Sequence, residues 1–104
     1  MQVRKKKEDI KELNESLAEE QFTKLTQELS QYRQRLGVSL ADLSIKTQTY
    51  PSYIHRVETG QVNTTVKKLM VILDAMGLEL KIQPKEGVDL DSVAKDLRAF
   101  NKSH

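Results

Sequence analysis

The stretch from Gly37 to Gly77 is punctuated so often that neither a long helix nor a wide sheet fits inside it. Gly37 stops a preceding apolar period, being the residue best suited to the left-handed position after a helix. Ser39-Leu-Ala-Asp42 then sets a hydroxyl at an N-cap and a carboxylate three positions on, a capping-box variant with aspartate in place of glutamate. A helix from about Leu40 to Thr47 follows. Gln48-Thr49-Tyr50 lacks apolar periodicity, and Pro51 sits where a first helical turn tolerates a missing N–H. A new helix therefore begins at Pro51, carries Ile54 and Val57 inward and stops at Gly60. Asn63-Thr64-Thr65 supplies caps for the next, in which Val66, Leu69, Met70, Ile72, Leu73 and Met76 form a broad apolar face that ends at Gly77. Helices of about eight residues do not hold in isolation, so these segments must pack on one another and on longer neighbours.

The flanks supply those neighbours. Residues 7–20 carry Ile10, Leu13 and Leu17 at spacings of three and four, a thin apolar stripe. Three such contacts do not offset the ordering of the segment, so it must dock on the body, on a second copy or on a partner. From Phe22 the stripe restarts as Phe22, Leu25, Leu29, Tyr32 and Leu36, and the phase slip predicts a kink or short break near residues 19–21. Beyond Gly77 the period changes: Leu78-Glu79-Leu80-Lys81-Ile82-Gln83 alternates and Pro84 ends it, which reads as a strand. Nothing else in the chain can pair with that strand, so it is expected to meet its own copy across a twofold axis, with Leu78, Leu80 and Ile82 at the dimer interface. A last helix from about Asp89 to Asn101 carries Leu90, Val93, Ala94, Leu97 and Phe100 on one side. The expected divisions are an N-terminal helical extension (1–21), the central helical domain (22–78), and the strand with the final helix (79–104).

Composition narrows the function classes. At 104 residues and 11.9 kDa the chain is one small domain with extensions. No apolar run approaches the roughly 18 residues of a spanning helix. The N-terminus turns acidic and amphipathic after its basic run, where a secretory signal turns apolar, so a cytoplasmic location is expected. Zero cysteines exclude disulfides, thiolate catalysis and Cys-ligated zinc, and His55 and His104 are too few for a histidine cage, so no metal and no cofactor are expected. Serine and histidine occur without an identifiable orienting carboxylate, and an enzyme is not expected. A formal net charge of +2 is spread almost evenly; the short run Arg4, Lys5, Lys6, Lys7 is offset by Glu8, Asp9 and Glu12.

Two short helices joined by a turn and flanked by longer ones form the helix-turn-helix arrangement. The stretch RQRLGVSLADLSIKTQTYPSYIHRVETGQVNTTVKKLMVILDAMGLEL resembles the Cro/C1-type (Xre) helix-turn-helix domain, over roughly residues 24–78. The resemblance implies a mainly α fold: a five-helix lambda-repressor-like domain with an N-terminal helical extension, a C-terminal dimerising β-strand and a final helix. It also implies that Arg33 pairs with Glu58. The sequence departs from the family at Ser44, where a smaller residue is usual, and at the polar turn Gln48-Thr49-Tyr50. Leu40 replaces the usual glutamine, and Tyr50, Pro51 and Ser52 stand where Gln or Arg often opens the recognition helix. The run Met76-Gly77-Leu78-Glu79-Leu80-Lys81-Ile82-Gln83-Pro84 is similar to HipB-like antitoxins, whose dimers repress their own operon and hold a HipA-type kinase toxin. What this implies is a cytoplasmic, nucleoid-associated homodimer that reads palindromic double-stranded operator DNA, represses its own operon and neutralises a kinase-type toxin. The alternatives are a free-standing Xre regulator and a protein-holding module with little specific DNA binding.

The expected DNA-facing residues fall in three groups. On the recognition helix they are Tyr50, Pro51, Ser52, Tyr53, His55 and Arg56, with Arg56 suited to guanine or phosphate and the tyrosines to thymine methyls or phosphate. At the start of the following helix, Asn63, Thr64 and Thr65 offer backbone and hydroxyl donors to a phosphate. Ser39 heads the first short helix, and Lys46, Lys67 and Lys68 add cations, each contributing about one unit to the salt slope of binding.

Overall fold

The computed structural model describes residues 7–103. Arg4, Lys5 and Lys6 of the basic run, and His104, lie outside the described residues. Five helices follow one another: α1 (Lys7–Leu36), α2 (Leu40–Thr47), α3 (Pro51–Glu58), α4 (Val66–Ala75) and α5 (Leu90–Ser103). Helix α2 packs on α3 and α4, and α3 packs on α1. At their junction lie Leu29, Leu43, Ile54, Val57, Leu69, Ile72 and Leu73, all buried, with Ile54 and Val57 wholly enclosed. The domain core is thus built from four helices, the C-terminal half of α1 with α2, α3 and α4, rather than from the expected five.

The punctuation works as the sequence indicates. The Ser39 hydroxyl oxygen accepts from the Asp42 N–H at 3.0 Å, and the Asp42 carboxylate accepts from the Ser39 N–H at 3.2 Å, a complete capping box. Hydrogen bonding by the Ser39 side chain, then by its backbone N–H, holds the Asp42 carboxyl below its ordinary value. Thr65 caps α4 by accepting from the Lys68 N–H at 3.1 Å. Gly37, at φ 69°, closes α1: its N–H bonds the Gln34 carbonyl and the Val38 N–H bonds the Arg33 carbonyl.

The break expected at residues 19–21 is absent, and α1 runs unbroken for 30 residues. Ala18, Glu19, Glu20 and Gln21 are all good helix formers, and Lys24 reaches Glu20 at 3.7 Å across the junction. With 3.6 residues per turn, the slip instead rotates the stripe of Ile10, Leu13 and Leu17 by about 100° from the one that starts at Phe22. The domain-facing seam is also rotated from the expected one. Thr26 and Leu29 are buried, with Arg33 beside them, while Tyr32 and Leu36 remain exposed. The polar members of that seam are satisfied: the Thr26 hydroxyl donates to the Thr23 carbonyl at 3.1 Å. The Arg33 Nε and Nη2 donate to the two Glu58 oxygens at 2.6 and 3.0 Å, and its Nη1 donates to the Val38 carbonyl at 2.9 Å.

The dimerising strand is not present either; the described residues contain no β-strand. Leu78 belongs to the end of α4, where Gly77, at φ 74°, turns the chain and the Leu78 N–H bonds the Leu73 carbonyl at 2.9 Å. Leu78 and Leu80 then lie half-buried against the core, whereas Glu79 and Lys81 point outward and pair at 3.3 Å. The alternation thus records one face laid on helices, with no backbone ladder. A shallow hollow among Leu25, Leu29 and Tyr32 of α1 and Leu73, Leu78 and Leu80 marks that contact. Ile82, assigned to the same interface, is fully exposed and packs on nothing in the core.

Glu58→Ala leaves the Arg33 guanidinium without its carboxylate in a nearly closed site, and should cost about 3–5 kcal/mol in urea unfolding. Ser39→Ala should cost about 1 kcal/mol. Because the folded-state value of Asp42 is depressed, its contribution is present above the ordinary carboxylate range and is lost as pH falls through the lowered value. An Asp42→Asn protein should show a correspondingly flatter stability profile in acid.

Candidate nucleic-acid interface

Helix α3 divides cleanly into two faces. Ile54, Val57 and Glu58 point into the domain, and Ser52, His55, Arg56 and Thr59 are exposed at the spacing of one helical face. Arg33 holds Glu58, and with it the C-terminal end of α3, on α1. Pro51 opens α3 at its first position, and the preceding Tyr50 makes no side-chain cap, leaving its ring 80% exposed at the front of the helix. The turn before it is made by Gln48 in the left-handed conformation, φ 54° and ψ 43°, the only non-glycine with positive φ among the described residues. The Gln48 N–H returns to the Ser44 carbonyl, and the Thr49 N–H bonds the same carbonyl at 3.1 Å.

The turn, the front of α3 and the side of α4 enclose a cleft of about 370 Å³. Tyr50, Ser52, Tyr53 and Arg56, four of the expected DNA-facing residues, line it together with Lys68 and the turn residues Thr47, Gln48 and Thr49. The cations Arg56 and Lys68 share the cleft with hydroxyls and two aromatic rings, a surface able to meet phosphate oxygens and base edges together. Thr47, Gln48 and Thr49 were not among the expected contacts. For Gln48 and Thr49 the signal is the polar turn Gln48-Thr49-Tyr50, which stands where the resembling family has a less polar one; Thr47, the last residue of α2, carries no such signal.

Tyr53 lines the cleft and also braces one wall of it. Its hydroxyl donates to the Thr64 hydroxyl oxygen at 2.9 Å, and the ring packs half-buried against the core. The Lys68 ammonium stands 5.4 Å from the ring centroid. This arrangement ties α3 to the loop before α4, so Asn63, Thr64 and Thr65 are held at a fixed offset from α3. Thr64 also donates to the Thr65 carbonyl at 3.3 Å. Asn63 and Lys67 are exposed at that end of α4.

Ser39 is exposed at the start of α2, its oxygen engaged in the cap. Lys46 does not join the cleft; it lines a neighbouring hollow with Met70 and Asp74. Leu40, in place of the family's glutamine, turns partly inward and packs against the core. Among the described residues no group of three or more His, Asp or Glu side chains is gathered to hold a metal. No helix among them is long and apolar enough to cross a membrane.

A family model described as a helix-turn-helix domain matches residues 24–81 of the 104, a span that contains α2, α3, α4 and the core-forming half of α1. No curated protein and no solved structure matches the chain significantly. The matched span covers every residue of the cleft and of the Arg33–Glu58 pair, and the chain belongs to the helix-turn-helix domain family, of the Xre/Cro-like kind.

Proposed function

We propose that the chain is a transcription repressor that docks the exposed face of α3 in the major groove of operator DNA. The observation that carries this reading is the division of α3: a wholly buried back fixed by Ile54, Val57 and the Arg33–Glu58 pair, and a polar front with Arg56 at its centre. A rigid back and an exposed front suit a helix that reads base edges. Tyr50, Ser52, His55 and Arg56 are the base-edge candidates. Asn63, Thr64, Thr65, Lys67 and Lys68 serve the flanking phosphates, where α4 presents its N-terminal end. Tyr53 acts through Thr64, as the strut that sets the distance between the two groups. Two copies related by a twofold axis read a palindrome with half-sites about 34 Å apart.

The antitoxin reading drew its support from the strand that followed α4. With Leu78 and Leu80 laid on the chain's own helices, the free-standing regulator is the reading that this fold favours. Co-expression with a HipA-type kinase that yields a single stoichiometric complex would restore the antitoxin role.

Binding of the purified chain to its own upstream promoter region, against random DNA at two salt concentrations, tests the proposal. Preference for the promoter by several hundredfold, surviving moderate salt, is expected of a sequence-reading repressor; indiscriminate binding lost in salt overturns it. Arg56→Ala should weaken promoter binding by about 1–3 kcal/mol and relax the sequence preference. An equal loss on random DNA would make Arg56 a phosphate contact. Lys67→Ala should lower the salt slope by about one unit and leave the preference intact.

A further inference from the structure

The cleft between the turn, α3 and α4 has an apolar floor that contact with DNA does not account for. Ser52, Arg56 and Lys68 are exposed at its rim, and Val71 and Ile72 of α4 complete its lining. Ile72 belongs to the buried core and lies at the bottom of the recess, while Val71 is 51% exposed above it. A duplex presents its phosphates foremost, and a phosphate gains nothing by being laid on a valine and an isoleucine.

The charge of the cleft is one-sided. Arg56 and Lys68 line it, and no carboxylate does. Other hollows differ: the one lined by Lys46 is also lined by Asp74, and the one lined by Lys24 and Lys85 is also lined by Glu20. Neither Arg56 nor Lys68 forms an ion pair among the described residues. The Lys68 ammonium instead stands 5.4 Å from the centroid of the Tyr53 ring, which keeps it at the cleft wall. Beside an apolar floor such cations attract an anion more strongly than they do in open water.

The volume of about 370 Å³ lies within the roughly 300–1,000 Å³ of sites for small molecules, in which a few polar groups converge on an apolar base. The Tyr50 ring, 80% exposed, stands at the mouth and offers a face on which a second flat ring can stack. We infer that the cleft is a binding site for a small organic anion with a flat aromatic body. Its charged head lies between Arg56 and Lys68, and its ring covers Val71 and Ile72 and meets Tyr50. Such a ligand takes the cations and the tyrosine that the operator reading gives to DNA, so the two exclude each other and the ligand releases the promoter. The site stands on the cleft alone, and its regulatory meaning rests on the operator reading.

Titration of the isotope-labelled full chain with naphthyl phosphate and with naphthoate, followed by amide NMR without DNA, tests the site. The signals of Gln48, Thr49, Ser52 and Tyr53 should move with a dissociation constant of about a millimolar or tighter. Whichever anion binds more tightly identifies the head group. Inorganic phosphate, which lacks the ring, should bind at least about tenfold more weakly. Lys68→Ala should weaken naphthyl phosphate by about tenfold, and Val71→Phe, which fills the floor, should abolish the response while keeping the helical circular dichroism and urea midpoint of the parent. Should Val71→Phe fail to fold, Lys68→Ala, at an exposed position, decides alone. The inference is overturned by the absence of any localised shift from either aromatic anion up to about ten millimolar, by inorganic phosphate binding as tightly as they do, or by a response that survives Lys68→Ala. Saturating naphthyl phosphate should release promoter DNA, and a promoter complex indifferent to it overturns the exclusion. A chain that binds these anions and ignores its promoter refutes the operator reading and leaves the site standing; one that reads its promoter and ignores the anions does the reverse.

Discussion

The fork between Arg33 and Glu58 is the contact on which the placement of α3 depends. It joins two residues 25 positions apart, one in the long N-terminal helix and one in the last turn of α3, through two hydrogen bonds. Both side chains are largely withdrawn from water, at 14% and 3% exposure. Hydrogen bonding to Glu58 raises the Arg33 pKa above its ordinary value, against the opposing effect of burial. A third bond from Arg33 to the Val38 carbonyl ties the same guanidinium to the chain just before α2. One side chain therefore fixes the end of α1, the entry to α2 and the end of α3. A buried pair of this kind contributes less by net attraction than by the high cost of any arrangement that leaves one charge alone, which makes it a device for position.

From that fixed end, α3 is pinned along its length by Ile54 and Val57 and at its front by the bond from Tyr53 to Thr64. The polar turn at Gln48 and the start of α4 are then carried at set offsets, and the cleft between them follows. No separate binding loop is needed. The exposed residues of α3 are those whose positions on an eight-residue helix the buried ones leave over. The rest of the chain, the outer half of α1 and the whole of α5, lies outside this frame and accounts for the elongated shape, with extents of 56 × 27 × 20 Å.

Much of the central domain was legible because its signals are local. A hydroxyl with a carboxylate three residues on, a proline that begins a helix and glycines that end them each act within one turn, so α2, α3 and α4 appear where the residues place them. The Arg33–Glu58 pair was legible only through the resemblance, since no spacing rule links residues that far apart. Most of the expectations that failed were non-local. Periodicity cannot distinguish a strand from an extended segment laid along a helix, because both alternate in exposure; Leu78 and Leu80 are of the second kind, and Ile82 stays exposed. The phase slip in α1 predicts a break, yet strong helix formers carry the backbone through it and move the stripe instead. Tyr32 and Leu36 looked like core and are exposed, because the seam had to turn toward Thr26 and Arg33 to meet α3.

The amino-acid sequence by itself determined where the short helices start and stop, which face of α3 and α4 is apolar, and the charge and absence of cysteine that narrow the function. Those properties are set by capping, by backbone preference and by composition, each of which acts within a few residues. Only the tertiary structure decided that the Tyr53 hydroxyl meets Thr64, that Lys68 lines the cleft while Lys46 lines a separate hollow, and that Leu78 and Leu80 are covered while Leu90 and Leu97 stay exposed. Those outcomes depend on which surfaces meet across the chain, and a one-dimensional pattern carries no distance between elements that are joined only by packing.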